Sequence, residues 1–263
     1  MNVDEISKLS NPQILAILEK CNITLNLRKE SSSRQNDIYS VWSEELAEET
    51  DYWEQVINGT HKRDADYFRK RVENHTTKRF QFFELFDNPL KGPLKVLDVG
   101  AGPLTQIGLS NPSGPIEVTA VDPLADKYNK LLDDAGINPE VRTQAGTCEG
   151  LLEMFQLGSF DVVYSNNALD HAFNPVEGIA NMVSLCRPGG IVHIEGRANV
   201  GEFNFYSGLH QWNFMAVQGD LIIWRPTEQY SLQKRLGTSA IVQSVSRMNA
   251  GAWLHVTRIL KTG

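Results

Sequence analysis

The spacing of apolar residues changes character along the chain. From residue 94 onward, short continuous apolar and β-branched runs recur: LKVLDV (94–99), IEVTAV (116–121), EVRTQ (140–144), FDVVYS (160–165) and GIVHIE (190–195). Runs without polar alternation read as strands buried on both faces. Between them apolar positions fall three and four apart, predicting helices over about 103–110, 124–135, 149–157 and 175–187. The last is well punctuated. Asn174 stands as N-cap and Pro175 at the first helical position, Ile179, Met182, Val183 and Cys186 form the apolar face, and Arg187-Pro188-Gly189-Gly190 is a stop. Strands alternating with helices pack as a parallel sheet with right-handed crossovers. The rhythm breaks at AIVQSVSR (240–247) and AWLHVTRIL (252–260), which predict an antiparallel hairpin around Met248-Asn249-Ala250-Gly251. A smaller hairpin is expected over MAVQGDLIIW (215–224), turning at Gly219-Asp220, inside a lid-like insertion near 196–226.

The first 90 residues read differently. Ile14, Leu15, Ile17 and Leu18 give one face of a helix from Asn11-Pro12 through Cys21, and the polar run Glu30 to Asp37 reads as a loop. Aromatic segments follow at Tyr39 to Trp42 and Tyr52-Trp53. A longer helix from about Asp64 to Phe86 aligns Phe68, Val72, Phe80 and Phe83. This part is expected to be a helical cap, residues 1–90, on a core domain of residues 91–263.

Composition narrows the function. With 263 residues and 41% hydrophobic content, the chain buries a sizeable core without staples. A formal net charge of −7 disfavours a nucleic-acid partner. No apolar run approaches the roughly 20 residues a bilayer demands, so no membrane insertion is expected. The start, MNVDEISKLSNPQ, lacks the basic and apolar regions of a secretory signal, which points to the cytoplasm. Cys21, Cys148 and Cys186 are odd in number and widely spaced, which excludes a disulfide framework or a cysteine zinc cluster.

The strongest chemical signal is Asp98-Val99-Gly100-Ala101-Gly102-Pro103 at the end of the first strand. Glycines there let the backbone turn tightly and approach a ligand. Asp122, in Val121-Asp122-Pro123, ends the second strand, and a carboxylate in that place accepts hydrogen bonds from a ribose diol. A dinucleotide fingerprint would want a third glycine where Thr105 stands, and Asp98 would face a pyrophosphate. A cofactor with a cationic amino-acid tail and a sulfonium tolerates that carboxylate. Asp-x-Gly-x-Gly with Asp122 therefore favours S-adenosylmethionine.

Over Leu94 to Val200 the chain resembles the class I S-adenosylmethionine-dependent methyltransferases of the type-11, small-molecule family. The resemblance implies an α/β fold, a Rossmann-like seven-stranded mostly parallel sheet closed by the C-terminal antiparallel hairpin. It implies that Gly100, Ala101 and Gly102 line the methionine and ribose portions, that Asp122 with Pro123 receives the ribose, and that Asn166 lies near the methionyl group. Gly146-Thr147-Cys148-Glu149 resembles the segment flanking adenine, with Thr147 in place of the usual carboxylate and the Cys148 backbone as a substitute contact. Leu185 to Gly190 resembles the family's motif before strand five.

The expected acceptor is a polar small molecule, a hydroxyl of a sugar, sugar nucleotide or specialised metabolite, with the chain a monomer or homodimer. A hydroxyl must lose its proton, and histidine is suited to take it. His171 and His210 are the candidates, the latter within Tyr206 to Asn213, whose rings and amides suit a polar ring. His193 reads as a core histidine, and Glu195 as a pocket acid or a cap partner. Tyr39, Trp42, Tyr52, Trp53 and Phe68 are candidates to close over a sulfonium or simply to pack. Arg63, Arg69, Arg71 and Arg79 suit an anionic acceptor or a solvated face. Asn166, Asn167, Asp170 and Asn199 are too few carboxylates for a metal, and none is expected. Asn166-Asn167-Ala168-Leu169 lacks the Pro-Pro-aromatic motif of nucleobase or amide methylases. An amine acceptor, a non-catalytic binding module and an NAD-dependent oxidoreductase are the alternatives.

Overall fold

The computed structural model describes residues 34–73, 93–111 and 114–262. The expected helix at Pro12 to Cys21, the far half of the helix running to Phe86, Arg79 and the boundary near residue 90 lie outside them. The chain divides into two units, Met1–Ile38 and Tyr39–Gly263. Helix α1, Arg34–Ile57, crosses that division, and α2 is Lys62–Glu73. Arg34 to Asp37, expected in a loop, are the first turn of α1. These four residues contain neither glycine nor proline to stop a helix.

The sheet is made by β1 (Leu94–Val99), β2 (Ser110–Asn111), β3 (Gly114–Asp122), β4 (Thr143–Ala145), β5 (Phe160–Asn166), β6 (Cys186–Arg197), β10 (Ala240–Asn249) and β11 (Ala252–Lys261). Its order is β10-β11-β6-β5-β1-β3, with β4 also paired to β3 and the two-residue β2 antiparallel to β3. The strands β4, β3, β1, β5 and β6 are parallel, while β11 and β10 are antiparallel. This is the expected seven-stranded Rossmann-like sheet plus a short edge strand. Val96, Leu97, Val121, Val162 and Val163 are fully buried, as continuous apolar runs in a two-sided sheet must be.

Helices α3 (Ala125–Asp134), α4 (Leu151–Met154) and α5 (Pro175–Leu185) follow the predicted periodicity, α4 being shorter than expected. Asn174 caps α5: its side-chain oxygen accepts from the Glu177 amide at 3.3 Å and its amide donates to the Glu177 carboxylate at 3.1 Å. Asn174→Ala is expected to lower unfolding free energy by about 1 kcal/mol, read as a shifted urea midpoint with unchanged slope. The Arg187-Pro188-Gly189-Gly190 stop ends the helix but belongs to the start of β6.

The helix expected at 103–110 is absent. Thr105 donates its hydroxyl to Asp98 at 2.6 Å and accepts the Ile107 amide at 3.1 Å, while the Arg71 guanidinium takes the Leu104 carbonyl. Such local side-chain bonds compete with the helical ladder. Leu104 and Ile107 are buried all the same, which explains the misleading periodicity.

Within the insertion, α6 (Val200–Phe203) precedes a three-stranded antiparallel sheet of β7 (Asn213–Val217), β8 (Asp220–Arg225) and β9 (Glu228–Ser231), then α7 (Leu232–Leu236). The small hairpin turns at Gln218-Gly219, both at positive φ, one residue before the expected turn. Phe214, Leu221 and Ile223 join the main core, so this sheet is part of the body and not a lid. Only the arc of residues 197–210 borders the cavity described next.

Candidate active site

In an open α/β sheet, ligands bind beyond the carboxyl ends of the strands where the strand order reverses. Here the chain goes from β1 to β3 on one side, then crosses to β5 on the other. A cavity of about 700 Å³ opens at that point, a size suited to a small-molecule site.

Its floor is the loop after β1. The Gly100 and Ala101 amides donate to the Val121 carbonyl at 2.8 and 3.2 Å, and the Thr143 hydroxyl donates to the Gly102 carbonyl at 2.9 Å. The ends of three strands thus hold one turn. Gly100 has φ +73°, and a Cβ there would lie 2.2 Å from the Ala168 Cβ in the loop after β5. Gly102, at φ +65°, lies under Trp53. Position 100 has no room for a side chain because the loop after β5 approaches too closely, whereas at position 102 Trp53 lies at an ordinary contact distance.

Asp122 closes β3. Its two carboxylate oxygens accept the Gly102 amide at 3.0 Å and the Leu124 amide at 2.9 Å, leaving lone pairs for a further donor pair. Burial pushes its pKa up to about 6 against those two amides, with Glu49 adding to the rise and His171 opposing it. Glu49, on α1, accepts the Trp53 indole N–H at 2.8 Å and borders the same cavity. Sequence reasoning missed it, since a glutamate in a charged helix carries no local signal.

Asp98 is placed differently from expectation. It is buried beneath the loop, held by Thr105, and is not part of the cavity wall. Burial pushes it up to about 6 despite the Thr105 hydroxyl, the Arg71 charge and the Gln106 amide. Its role in the geometry is to tie down the turn that replaced a helix.

Thr147, Cys148 and Asn166 line the cavity, as do Pro123, Trp42, Tyr52, Trp53 and Phe68. The Thr147 hydroxyl accepts the Gly150 amide at 3.1 Å, while the Cys148 thiol packs on Gly178 and its carbonyl takes the Asn181 side-chain amide at 3.4 Å. Trp53 meets Phe68 and Tyr128 edge-on at 6.1 and 6.0 Å, so the aromatic residues both pack and face the cavity. Arg69 pairs with Asp66 on the surface, whereas the buried Arg71 borders the cavity. The side chain of Tyr39 lies outside the described residues.

His171 and His210, 39 residues apart, come together in the cavity wall. His171 ends a 3₁₀ turn, Leu169–His171, held by the Trp42 indole N–H donating to the His171 carbonyl at 2.7 Å. Its Nε2 lies 2.9 Å from His210 Nδ1, and His210 Nδ1 lies 2.7 Å from Asp170 Oδ2. Burial pushes the Asp170 carboxyl up, but the His171 and His210 imidazoles and a backbone amide outweigh it and hold the group below the usual range. Most of the Tyr206 to Asn213 segment serves the loop itself. Asn213 donates to the Tyr206 hydroxyl at 3.0 Å and accepts the Glu202 amide at 2.8 Å; Gln211 donates to two carbonyls; Trp212 is buried under Arg225. Leu209 and His210 alone of that segment border the cavity.

His193 is buried and stacks on Tyr164 at 5.8 Å. Glu195 accepts Arg247 at 2.8 Å and lies outside the main cavity. His255 is buried against Phe214, and burial pushes it down to about 4. The two kinds of shift have opposite signs. Asp98 and Asp122, raised from 3.8 to about 6, favour the fold below pH 4 and lose that contribution as pH rises through 6. His255, depressed from 6.5, resists protonation in the fold, so stability is lost as pH falls through that window. His255→Gln is therefore expected to make the slope of stability against pH more negative than wild type between pH 4 and 6.5, measured by urea melts; an unchanged slope would contradict it.

The cradle fits an adenosine-type cofactor with a sulfonium: a turn whose only side chain is the Ala101 methyl, a carboxylate with spare lone pairs at the next strand end, a second carboxylate in Glu49, and aromatic residues in the same cavity wall. Residues 97–194 match the family model of a methyltransferase domain. No curated protein matches the chain. Among solved structures it is similar to the YcgJ protein of Bacillus subtilis, at 15% identity over 69% of this chain and 97% of that one, with a TM-score of 0.38. It is also similar to the Haemonchus contortus phosphoethanolamine N-methyltransferase 2 in complex with phosphomonomethylethanolamine and S-adenosylhomocysteine, at 14% identity, covering 69% of this chain and 52% of that one, TM-score 0.47. A third is the PH0226 protein of Pyrococcus horikoshii, at 13% identity, 77% and 93% coverage, TM-score 0.42. Among the described residues, no helix is long and apolar enough to cross a membrane.

Proposed function

We propose, from the premise that residues 97–194 belong to the type-11 methyltransferase-domain family and that the chain is an S-adenosylmethionine-dependent methyltransferase, that it methylates a hydroxyl of a polar small molecule such as a sugar or specialised metabolite. The observation that carries the hydroxyl reading is the meeting of Asp170, His171 and His210 on the wall of the same cavity that the glycine turn and Asp122 border. An amine acceptor needs only its neutral form, whereas a hydroxyl must be made anionic, and a buried carboxylate with two imidazoles is equipment for that.

S-adenosylmethionine, when bound, supplies an electrophilic methyl group on a sulfonium. Gly100, Ala101 and Gly102 leave room for it, and Asp122 is aimed by two backbone amides to accept from a ribose diol. Glu49 replaces Asp98 as the carboxylate that faces the cationic cofactor. Thr147, Cys148 and Asn166 border the remaining walls. Trp42, Tyr52 and Trp53, on α1, keep water from the reaction, and alignment in a dry cavity is the main demand of an in-line displacement. The arc from Arg197 to His210 shapes the acceptor end.

Two measurements test this. Incubation with S-adenosylmethionine and a panel of hydroxylated small molecules should yield S-adenosylhomocysteine and an O-methyl product; N-methyl products only would overturn the acceptor class. Asp122→Ala should weaken cofactor affinity by calorimetry about tenfold or more, a loss of roughly 1.4 kcal/mol. An unchanged affinity would remove Asp122 from the site.

A further inference from the structure

Three ligand atoms converge at the acceptor end. His171 Nε2 and His210 Nδ1 are 2.9 Å apart, His210 Nδ1 and Asp170 Oδ2 are 2.7 Å apart, and His171 Nε2 and Asp170 Oδ2 are 3.3 Å apart. With Asp170 ionised, hydrogen bonds cannot close this triangle. An imidazole nitrogen is either a donor or an acceptor, never both. If both nitrogens carry protons aimed at Asp170, the 2.9 Å nitrogen pair is donor against donor. If one carries a proton shared with the other two atoms, the remaining edge is acceptor against acceptor. Only a neutral carboxylic acid donating to His210, with His171 as a further donor, would satisfy the edges without an ion.

A cation resolves all three edges at once, because each atom then offers it a lone pair. An ion about 2.1 Å from each atom would see them at roughly 80–105° to one another, spread around the octahedral value. Asp170 is buried and the two histidines are half-buried, so the set is neither a solvated acidic cluster nor sealed from the cavity. Two imidazoles with one carboxylate, and positions left open, suit a divalent first-row transition ion better than magnesium or calcium, which prefer all-oxygen sets. The framework that orients the ligands is present: Trp42 holds the His171 carbonyl at 2.7 Å, and the Gln211 amide donates to the Asp170 carbonyl at 3.3 Å.

We propose that Asp170, His171 and His210 bind a divalent transition-metal ion whose open positions receive the acceptor hydroxyl. The ion's binding stands on this geometry; only its part in catalysis rests on the methyl-transfer reading above. Coordination lowers the pKa of a bound hydroxyl, as it does for water. The O–H proton then leaves to solvent, the oxygen's electron pair forms the C–O bond, and the C–S bond of the donor breaks. The absence of a metal expected from the sequence counted carboxylates, and the triangle instead draws its third ligand from a loop 39 residues away.

The test uses chelator-stripped full-length protein titrated with Zn²⁺ alone and with Mg²⁺ alone by calorimetry, and Co²⁺ loading followed by visible absorption. One Zn²⁺ per chain, much weaker Mg²⁺ binding and ligand-field bands of a nitrogen–oxygen Co²⁺ site are expected. His171→Ala and His210→Ala should each weaken Zn²⁺ binding at least about 100-fold, the upper end of what losing an outer-shell partner costs. Asp170→Asn, which keeps the shape, should weaken it less. Unchanged S-adenosylmethionine affinity in the same variants shows that they fold. The proposal is overturned if protein that binds the cofactor takes up no stoichiometric Zn²⁺, or if both histidine variants bind it as wild type does. Zn²⁺ binding by protein with no affinity for S-adenosylmethionine would uphold the metal site while removing the methyl-transfer reading.

Discussion

Gly100→Ala is expected to abolish detectable cofactor binding and to destabilise the fold by about 2–5 kcal/mol, combining the left-handed backbone cost with overpacking. The backbone there has φ +73°, and the new Cβ would lie 2.2 Å from the Ala168 Cβ. That neighbour is no flexible side-chain end. Relief requires moving the loop after β5, which carries Asn166, Asp170 and His171, or moving the glycine turn that Val121 and Thr143 hold. Gly102→Ala is the internal comparison. Its φ of +65° carries a similar backbone cost, but its Cβ would meet only Trp53 at 3.5 Å, an ordinary contact. Urea melts should therefore rank Gly100→Ala well below Gly102→Ala, with calorimetry reading the cofactor. Equal stability of the two would show that the Ala168 contact is not what holds position 100 to glycine.

The second large effect is on turnover. His210→Ala is expected to slow methyl transfer by about 10²- to 10⁴-fold, the range for losing a group on which removal of the reacting proton depends, while leaving cofactor affinity within about twofold. The reason is separation of function within one cavity. His210 touches Asp170 and His171, and the cofactor cradle is built from Gly100, Gly102 and Asp122. His171→Ala should show the same kinetic loss, and the double variant little more than either single one, since groups acting as a unit are non-additive. The readout is single-turnover S-adenosylhomocysteine formation with the acceptor that the panel identifies. Equal loss of turnover and cofactor affinity would make His210 a structural residue of the loop.

Elements with local signals were legible in the chain. β1 was bounded at Leu94 and Val99 from its apolar run, and α5 from Asn174 and Pro175. The helix expected at 103–110 failed because Leu104 and Ile107 are buried for a tertiary reason: Asp98 and Arg71 hold the segment in turns. Tyr206 to Asn213 looked like a sugar-gripping surface, but its amides satisfy buried backbone groups of the loop. Composition lists which groups are polar without saying where their hydrogen bonds go, and buried polar groups must be paired.

By itself, the sequence determined the alternation of strands and helices, the C-terminal hairpin, and the glycine turn followed by Asp122, because period, caps and turn chemistry act over a few residues. Only the tertiary structure decided that Asp98 lies beneath the turn while Glu49 faces the cavity, that Gly100 is pressed by Ala168, and that Asp170 and His171 meet His210. Those facts depend on which strand ends lie side by side. Sheet order is set by packing across the whole chain, so residues with no sequence relation to one another become neighbours.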